Sequence, residues 1–141
     1  MHAYLIMAHK NLEQIKKLLQ LLDYPENDIY IHIDAKADRT VRFFDYTSCC
    51  TKSKVFQLSQ IKSAGSYSLI ECELLLLEQA AENKQYDYYH LISGMDLPLK
   101  TQFEIHHFFE KNNGKQFVYF SGKNSENTYQ IKRRVKYYWA T

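Results

Sequence analysis

Apolar residues occur along this chain in two patterns, short unbroken runs and stretches in which they return every third or fourth position. The runs His2 to Ala8, Ile29 to Ile33, Val55 to Leu58 and Tyr88 to Ile92 have the length and β-branched or aromatic content of strands. The first is apolar at successive positions, which predicts burial on both faces. Between the first two runs, Leu12, Ile15, Leu18, Leu19 and Leu22 fall on one side of a helix, and Asn11, with Gln14 three residues on, is placed to cap it. Pro25, Glu26, Asn27 and Asp28 then predict a turn. A second helix is predicted from about Ser68 to Asn83, with Leu69, Ile70, Leu74, Leu77, Ala80 and Ala81 on its buried side. A third is predicted over Gln102 to Lys111, capped by Thr101 and stopped at Asn113-Gly114. Val41 to Tyr46 is read as a short helix and Gln116 to Phe120 as a further strand. Strand and helix alternate, so the fold class is α/β with a mostly parallel sheet, built on right-handed βαβ units. No repeat or low-complexity linker divides residues 1–141, which are read as a single domain.

Composition narrows the function without naming it. A net charge of +2, with Lys and Arg spread evenly, gives no electrostatic argument for nucleic acid or an anionic membrane surface. The first apolar run lacks a basic leader and meets His9 and Lys10 directly, so neither signal peptide nor membrane span is expected. Cys49, Cys50 and Cys72 are odd in number, two are adjacent, and there is no CxxC spacing. Reduced thiols and a cytoplasmic location are expected, any membrane association being through partners. Tyrosine, at 12 residues against one Trp, suits sugar or base contacts but is more often half-buried packing.

The chemistry gathers where strands are predicted to end. Asp34 follows the second strand. The fourth strand breaks at Ser93-Gly94, and Asp96 and Pro98 follow on a short loop. In open α/β sheets this carboxyl edge is where ligands bind, because loops and helix N-termini converge there. Asp96 has two readings, a ligand carboxylate or an acceptor for backbone amides in its own turn. His32 and Asp34 would share a strand face, which raises a metal reading, but two residues are short of a ligand set. The small-residue turn Ser63 to Ser68, with Gly65, opens a helix and could hold an anion through its amides, although it lacks a phosphate-loop signature. Lys132, Arg133, Arg134 and Lys136, with Tyr137, Tyr138 and Trp139, form a basic aromatic tail that suits either phosphate or solvent.

Four segments together carry a resemblance: Ala3-Tyr4-Leu5-Ile6 with His9, Ile31-His32-Ile33-Asp34, Gly65-Ser66-Tyr67-Ser68, and above all Ser93-Gly94-Met95-Asp96-Leu97-Pro98-Leu99-Lys100-Thr101. In order and spacing they resemble the core-2/I-branching β-1,6-N-acetylglucosaminyltransferase family, which includes peptide O-xylosyltransferases. The resemblance implies a GT-A-type, Rossmann-like sheet with helices on both faces. It further implies an inverting glycosyltransferase whose donor-binding part moves N-acetylglucosamine or xylose from a UDP-sugar to a glycan hydroxyl. By that resemblance Met7, His9 and Asp34 line the uridine pocket, while Ser66, Tyr67, Ser93, Gly94 and Asp96 lie nearer the diphosphate and donor sugar. The chain has no Asp-x-Asp triplet, in keeping with a family that works without a metal. Members usually carry an aromatic residue before the Gly-x-x-Ser turn, where this chain has Ala64. Their catalytic Glu, acceptor-binding half and diphosphate-facing basic residues are expected beyond Thr141. Two other classes stand beside this reading, a non-catalytic nucleotide-binding or interaction module and a small metal-dependent hydrolase using His32, Asp34 and His90.

Overall fold

The computed structural model describes residues 1–58 and 67–117. The chain divides into two compact units, Met1–Phe108 and Phe109–Thr141. In chain order the elements are β1 (His2–Ala8), α1 (Leu12–Leu22), β2 (Asn27–Ile33), α2 (Arg39–Arg42), a 3₁₀ turn (Tyr46–Cys49), β3 (Lys54–Leu58), α3 (Tyr67–Asn83), β4 (Tyr88–Ser93) and α4 (Gln102–Lys111). The four strands form one sheet in the order β3-β2-β1-β4, every pairing parallel.

Side chains of β1 alternate between two cores, as a strand buried on both faces requires. Tyr4, Ile6 and Ala8 join Ile29, Ile31 and Ile33 under the α1 residues Ile15, Leu18, Leu19 and Leu22, with Val41 and Tyr46 closing that layer. Ala3 and Leu5 point the other way and meet Tyr30, Tyr86 and the α3 residues Leu76 and Ala80. Burial of a large aliphatic side chain contributes about 1.5–3 kcal/mol, so the five isoleucines and three leucines of the first core are a major part of what holds the sheet to α1.

Four local expectations are corrected by the structure. α3 buries Cys72, Leu76 and Ala80, spaced by four, while Leu69, Ile70, Leu74, Leu77 and Ala81 are exposed, Leu74 to 56%. Leucine occupies every position from 74 to 77, so periodicity alone cannot choose a face. The stripe carrying small Cys72 and Ala80 lets the helix approach the sheet most closely. Asn11 precedes α1 in the left-handed region (φ 63°) and its side chain makes no capping bond. Asn tolerates that conformation better than most residues, and Gln14, instead of completing a capping box, donates to the Met95 carbonyl at 3.3 Å. The predicted turn at 25–28 is shorter, because Asn27 and Asp28 already pair with His2 and Ala3 in the sheet. Around the predicted helix at 41–46, α2 and the 3₁₀ turn stand on either side of a break at Phe43 to Asp45.

The start of α4 follows its sequence signal. The Thr101 hydroxyl accepts from Glu104 N at 3.3 Å, and the Glu104 carboxylate takes Thr101 N at 3.0 Å, a reciprocal capping box. In the second unit, Gly114 adopts φ +82° in a turn closed by Lys115 N donating to Asn112 O, and Phe117 meets Phe109 edge to face. Gln116 and Phe117 carry no regular structure, and residues 118–120 of the predicted strand lie outside the described residues. So do the Ser63 to Ser66 turn and the tail from Lys132 to Trp139.

Candidate functional site

Parallel strands put all their carboxyl ends along one edge, and β1 organises that edge through its backbone. Asp34 N donates to Ala8 O at 2.9 Å as the chain leaves β2, and Gly94 N donates to Met7 O at 2.8 Å as it leaves β4. The loops after β2 and β4 are therefore both fastened to the last turn of pleat in β1. Gly94 is buried, and a Cβ there would stand 2.6 Å from Ala8 Cβ and 3.2 Å from Ala8 Cα. Only glycine lets the β4 loop cross the end of β1 this closely.

Asp34 is 94% buried at this edge. A carboxylate so placed is costly unless hydrogen-bonded. One of its oxygens accepts Lys36 N at 2.8 Å, and Ala37 N closes the same turn on the Asp34 carbonyl at 2.9 Å. With His9, Lys36, Ala37 and Leu69, Asp34 lines a pocket of about 360 Å³. That volume lies at the small end of ligand sites. Its chemistry is mixed: a carboxylate acceptor, an ammonium donor and an imidazole, with apolar walls from Ala37 and from Leu69 on α3.

The neighbouring loop is built differently. Asp96 turns its carboxylate inward to accept Ser93 N at 2.7 Å, Asp96 N donates to Ser93 O at 3.0 Å, and the Ser93 hydroxyl accepts Met95 N at 3.0 Å. Of the two readings of Asp96, the turn acceptor is the one this geometry displays. Ser93 and Asp96 are nonetheless exposed on the edge beside the pocket.

His9 and Asp34 thus share one pocket, and Ser93, Gly94 and Asp96 form an adjoining turn. Met7 reaches that turn through its carbonyl, while its side chain packs with the α3-side core. Tyr67 is exposed in the first turn of α3, the helix that sends Leu69 into the pocket wall. Ser66 lies outside the described residues. No motif in the sequence marks Lys36, Ala37 or Leu69 for the site. Lys36 stands two residues past Asp34 where a loop opens, and the helical pattern places Leu69 in the core.

The His32, Asp34 and His90 trio is not assembled. β2 side chains alternate, and His32 faces α3, where its Nε2 lies 3.8 Å from Cys72 Sγ. His90 lies on the opposite face, stacked on Tyr4 with 4.7 Å between ring centroids. Among the described residues no three His, Cys, Asp or Glu side chains could share a metal ion. Burial lowers the His32 pKa, against the pull of Asp34, and raises that of the Cys72 thiol. Both shifts favour a neutral pair, the reverse of an activated thiolate and imidazolium.

An all-parallel sheet covered on both faces, with its loops and pocket at the strands' carboxyl edge, defines a Rossmann-like α/β protein. The family model described as "Core-2/I-Branching enzyme" matches residues 2–138, and the chain belongs to that family. It is 31% identical over 106 residues to the Bos taurus protein named beta-1,3-galactosyl-O-glycosyl-glycoprotein beta-1,6-N-acetylglucosaminyltransferase, covering 73% of this chain and 25% of that relative. The Homo sapiens protein of the same name is 31% identical over 108 residues with the same coverage. Xylosyltransferase 2 of Rattus norvegicus is 25% identical over 127 residues, 87% of this chain and 15% of its own length. The chain therefore spans about a quarter or less of these relatives.

Proposed function

We propose that this chain is the donor-binding part of an inverting glycosyltransferase, which holds a UDP-sugar so that N-acetylglucosamine or xylose passes to a glycan hydroxyl. The observation that carries the reading is the pocket at the carboxyl edge, where a buried carboxylate fixed by a backbone amide stands between apolar walls. Asp34 accepts hydrogen bonds from the uridine, His9 closes the rim, and the Ser93 to Asp96 turn lies toward the diphosphate and sugar. The relatives' names, which specify N-acetylglucosaminyl and xylosyl transfer, support the substrate class. A glycan acceptor is the partner that follows.

Inverting transfer needs a carboxylate to take the acceptor proton, cations to stabilise the departing diphosphate, and in-line placement of the two sugars. The edge described above supplies orientation of the donor. The base and the main diphosphate cations are proposed to come from parts of the enzyme that the larger relatives possess. Donor binding is proposed to be metal-independent, because the sequence lacks the Asp-x-Asp triplet.

Titration calorimetry with UDP tests the reading directly. Asp34→Asn should weaken UDP by about 1–3 kcal/mol if its partners are left unpaired, with an unchanged melting curve. Equal affinity in the variant and the parent chain would remove Asp34 from the site.

A further inference from the structure

α3 carries a second apolar stripe, separate from the one it buries, and we propose that this stripe is a docking surface for a basic amphipathic helix of a partner protein. Tyr67, Ile70, Leu74, Leu77 and Ala81 follow one another at intervals of three, four, three and four, the spacing at which one helix meets another along a seam. All five are exposed, Ile70 to 51% and Leu74 to 56%. The sheet takes Cys72, Leu76 and Ala80 instead, and Leu69, which walls the pocket at the carboxyl edge, is not part of the stripe.

β4 extends the stripe into a groove. Tyr89 and Leu91 are registered with Ala3 and Leu5 of β1, which places them on the α3 side of the sheet, and both are exposed. Tyr89 joins Leu74, Leu77, Glu78 and Ala81 around an open groove of about 650 Å³. Parallel sheets are ordinarily covered by helices on both faces, and a contiguous apolar surface marks an interaction site where single exposed leucines do not.

Charge selects the occupant. In a helical seam the residues beside the apolar positions decide which partner is accepted, and here they are Glu71, Glu73 and Glu78. None of the three makes an ion pair among the described residues. The 17 residues of α3 include no Lys or Arg. Two copies of the helix laid along one another would bring these carboxylates together in either orientation, and an anionic bilayer or a nucleic acid would be repelled by them. A helix with apolar residues at the same spacing and Lys or Arg beside them fills the seam and neutralises its flanks.

The test uses the whole chain and two fluorescein-labelled peptides built on the same leucine heptads, one flanked by lysine and the other by glutamate. Fluorescence anisotropy should show the lysine peptide bound and the glutamate peptide free. Leu74→Ser should weaken the lysine peptide roughly ten- to a hundredfold, the loss expected when one large side chain is withdrawn from an interface. Glu71→Lys combined with Glu78→Lys should reverse the preference between the two peptides. Melting curves should be unchanged in both variants, because the substituted residues are exposed. A parent chain that binds neither peptide, or both equally, would overturn the proposal, as would an unchanged preference in the charge-reversed variant. Sedimentation equilibrium supplies the control on self-association: a dimer abolished by Leu74→Ser would assign the seam to a second copy and overturn the proposal. A lowered melting midpoint in Leu74→Ser would show the seam packed within the chain itself, and would overturn it too.

Discussion

The two ends of this parallel sheet handle polar groups in opposite ways. At the amino end they are turned on one another. Tyr86 OH donates to Asp28 at 2.6 Å, Lys84 reaches the same carboxylate at 3.1 Å, and Tyr30 OH lies 2.9 Å from Tyr86 OH. On the other face of the same end, His2 stacks on His106 at 4.0 Å and meets His90 at 3.2 Å, and His106 contacts Asn27 and Glu26. At the carboxyl end two carboxylates are oriented by backbone amides of short turns, Asp34 by Lys36 N and Asp96 by Ser93 N. A side chain committed to another side chain stabilises the fold. One oriented by a short turn keeps a defined direction while still facing a pocket, as a binding residue must.

The contrast can be broken most severely at Gly94, where the β4 loop crosses the end of β1 with no room for a side chain. Gly94→Ala drives a methyl group to 2.6 Å from Ala8 Cβ, and overpacking of this kind costs about 1–3 kcal/mol. A lowered midpoint in chemical denaturation is expected; an unchanged midpoint would mean that the β4 loop moves away at no cost.

Next comes a pair of substitutions with crossed outcomes. Tyr86→Phe removes a donor from buried Asp28 and should cost about 1–3 kcal/mol of stability while leaving UDP affinity as it was. Asp34→Asn should do the reverse. Denaturation and calorimetry on both proteins would sharpen the comparison, and a loss of stability in Asp34→Asn as large as that in Tyr86→Phe would erase it.

Acid should act on the buried histidines, most of which gather at the amino end. Burial, reinforced by the neighbouring histidines, lowers the His2 pKa to about 3 and the His90 pKa to about 4, and burial lowers that of His106. The folded protein therefore binds fewer protons than the unfolded chain once the pH drops below the ordinary histidine value near 6.5. The stability contributed by the neutral cluster is complete above that value and is lost progressively toward pH 3–4. Melting temperatures measured between pH 7.5 and 4 should fall, and His106→Gln should flatten the fall by relieving the charge it imposes on His2 and His90. An identical slope in that variant would take the cluster out of the account.

The smallest effect expected is none: UDP affinity should be the same with and without EDTA. A collapse restored by manganese would show that the carboxyl edge depends on a metal.

Much of this was legible in the residues. The four strands and the α1 and α4 boundaries follow from runs, periodicity and the Thr101 cap, since these are set by near neighbours along the chain. The position of Asp34 at the end of β2 followed from the same pattern. What failed was the choice of a face for α3. Four consecutive leucines satisfy every face, and the sheet selected Cys72, Leu76 and Ala80 because small residues allow close approach. Leu69 was thereby moved from the expected core to the pocket wall. Asn11 was a cap by composition, yet the path of the chain out of β1 placed it in the left-handed region instead.

The sequence by itself determined the order of elements, the family and the placement of carboxylates just after strands, because each depends on residue type and spacing along one stretch. Only the tertiary structure decided which of those residues meet. Whether His32 and His90 lie together or on opposite faces depends on the register and pleat of strands separated by β1. The same registration brings His9, Asp34, Lys36 and Leu69, from three separate segments, around one pocket. Distances between strands are set by pairing and packing, which no local pattern encodes.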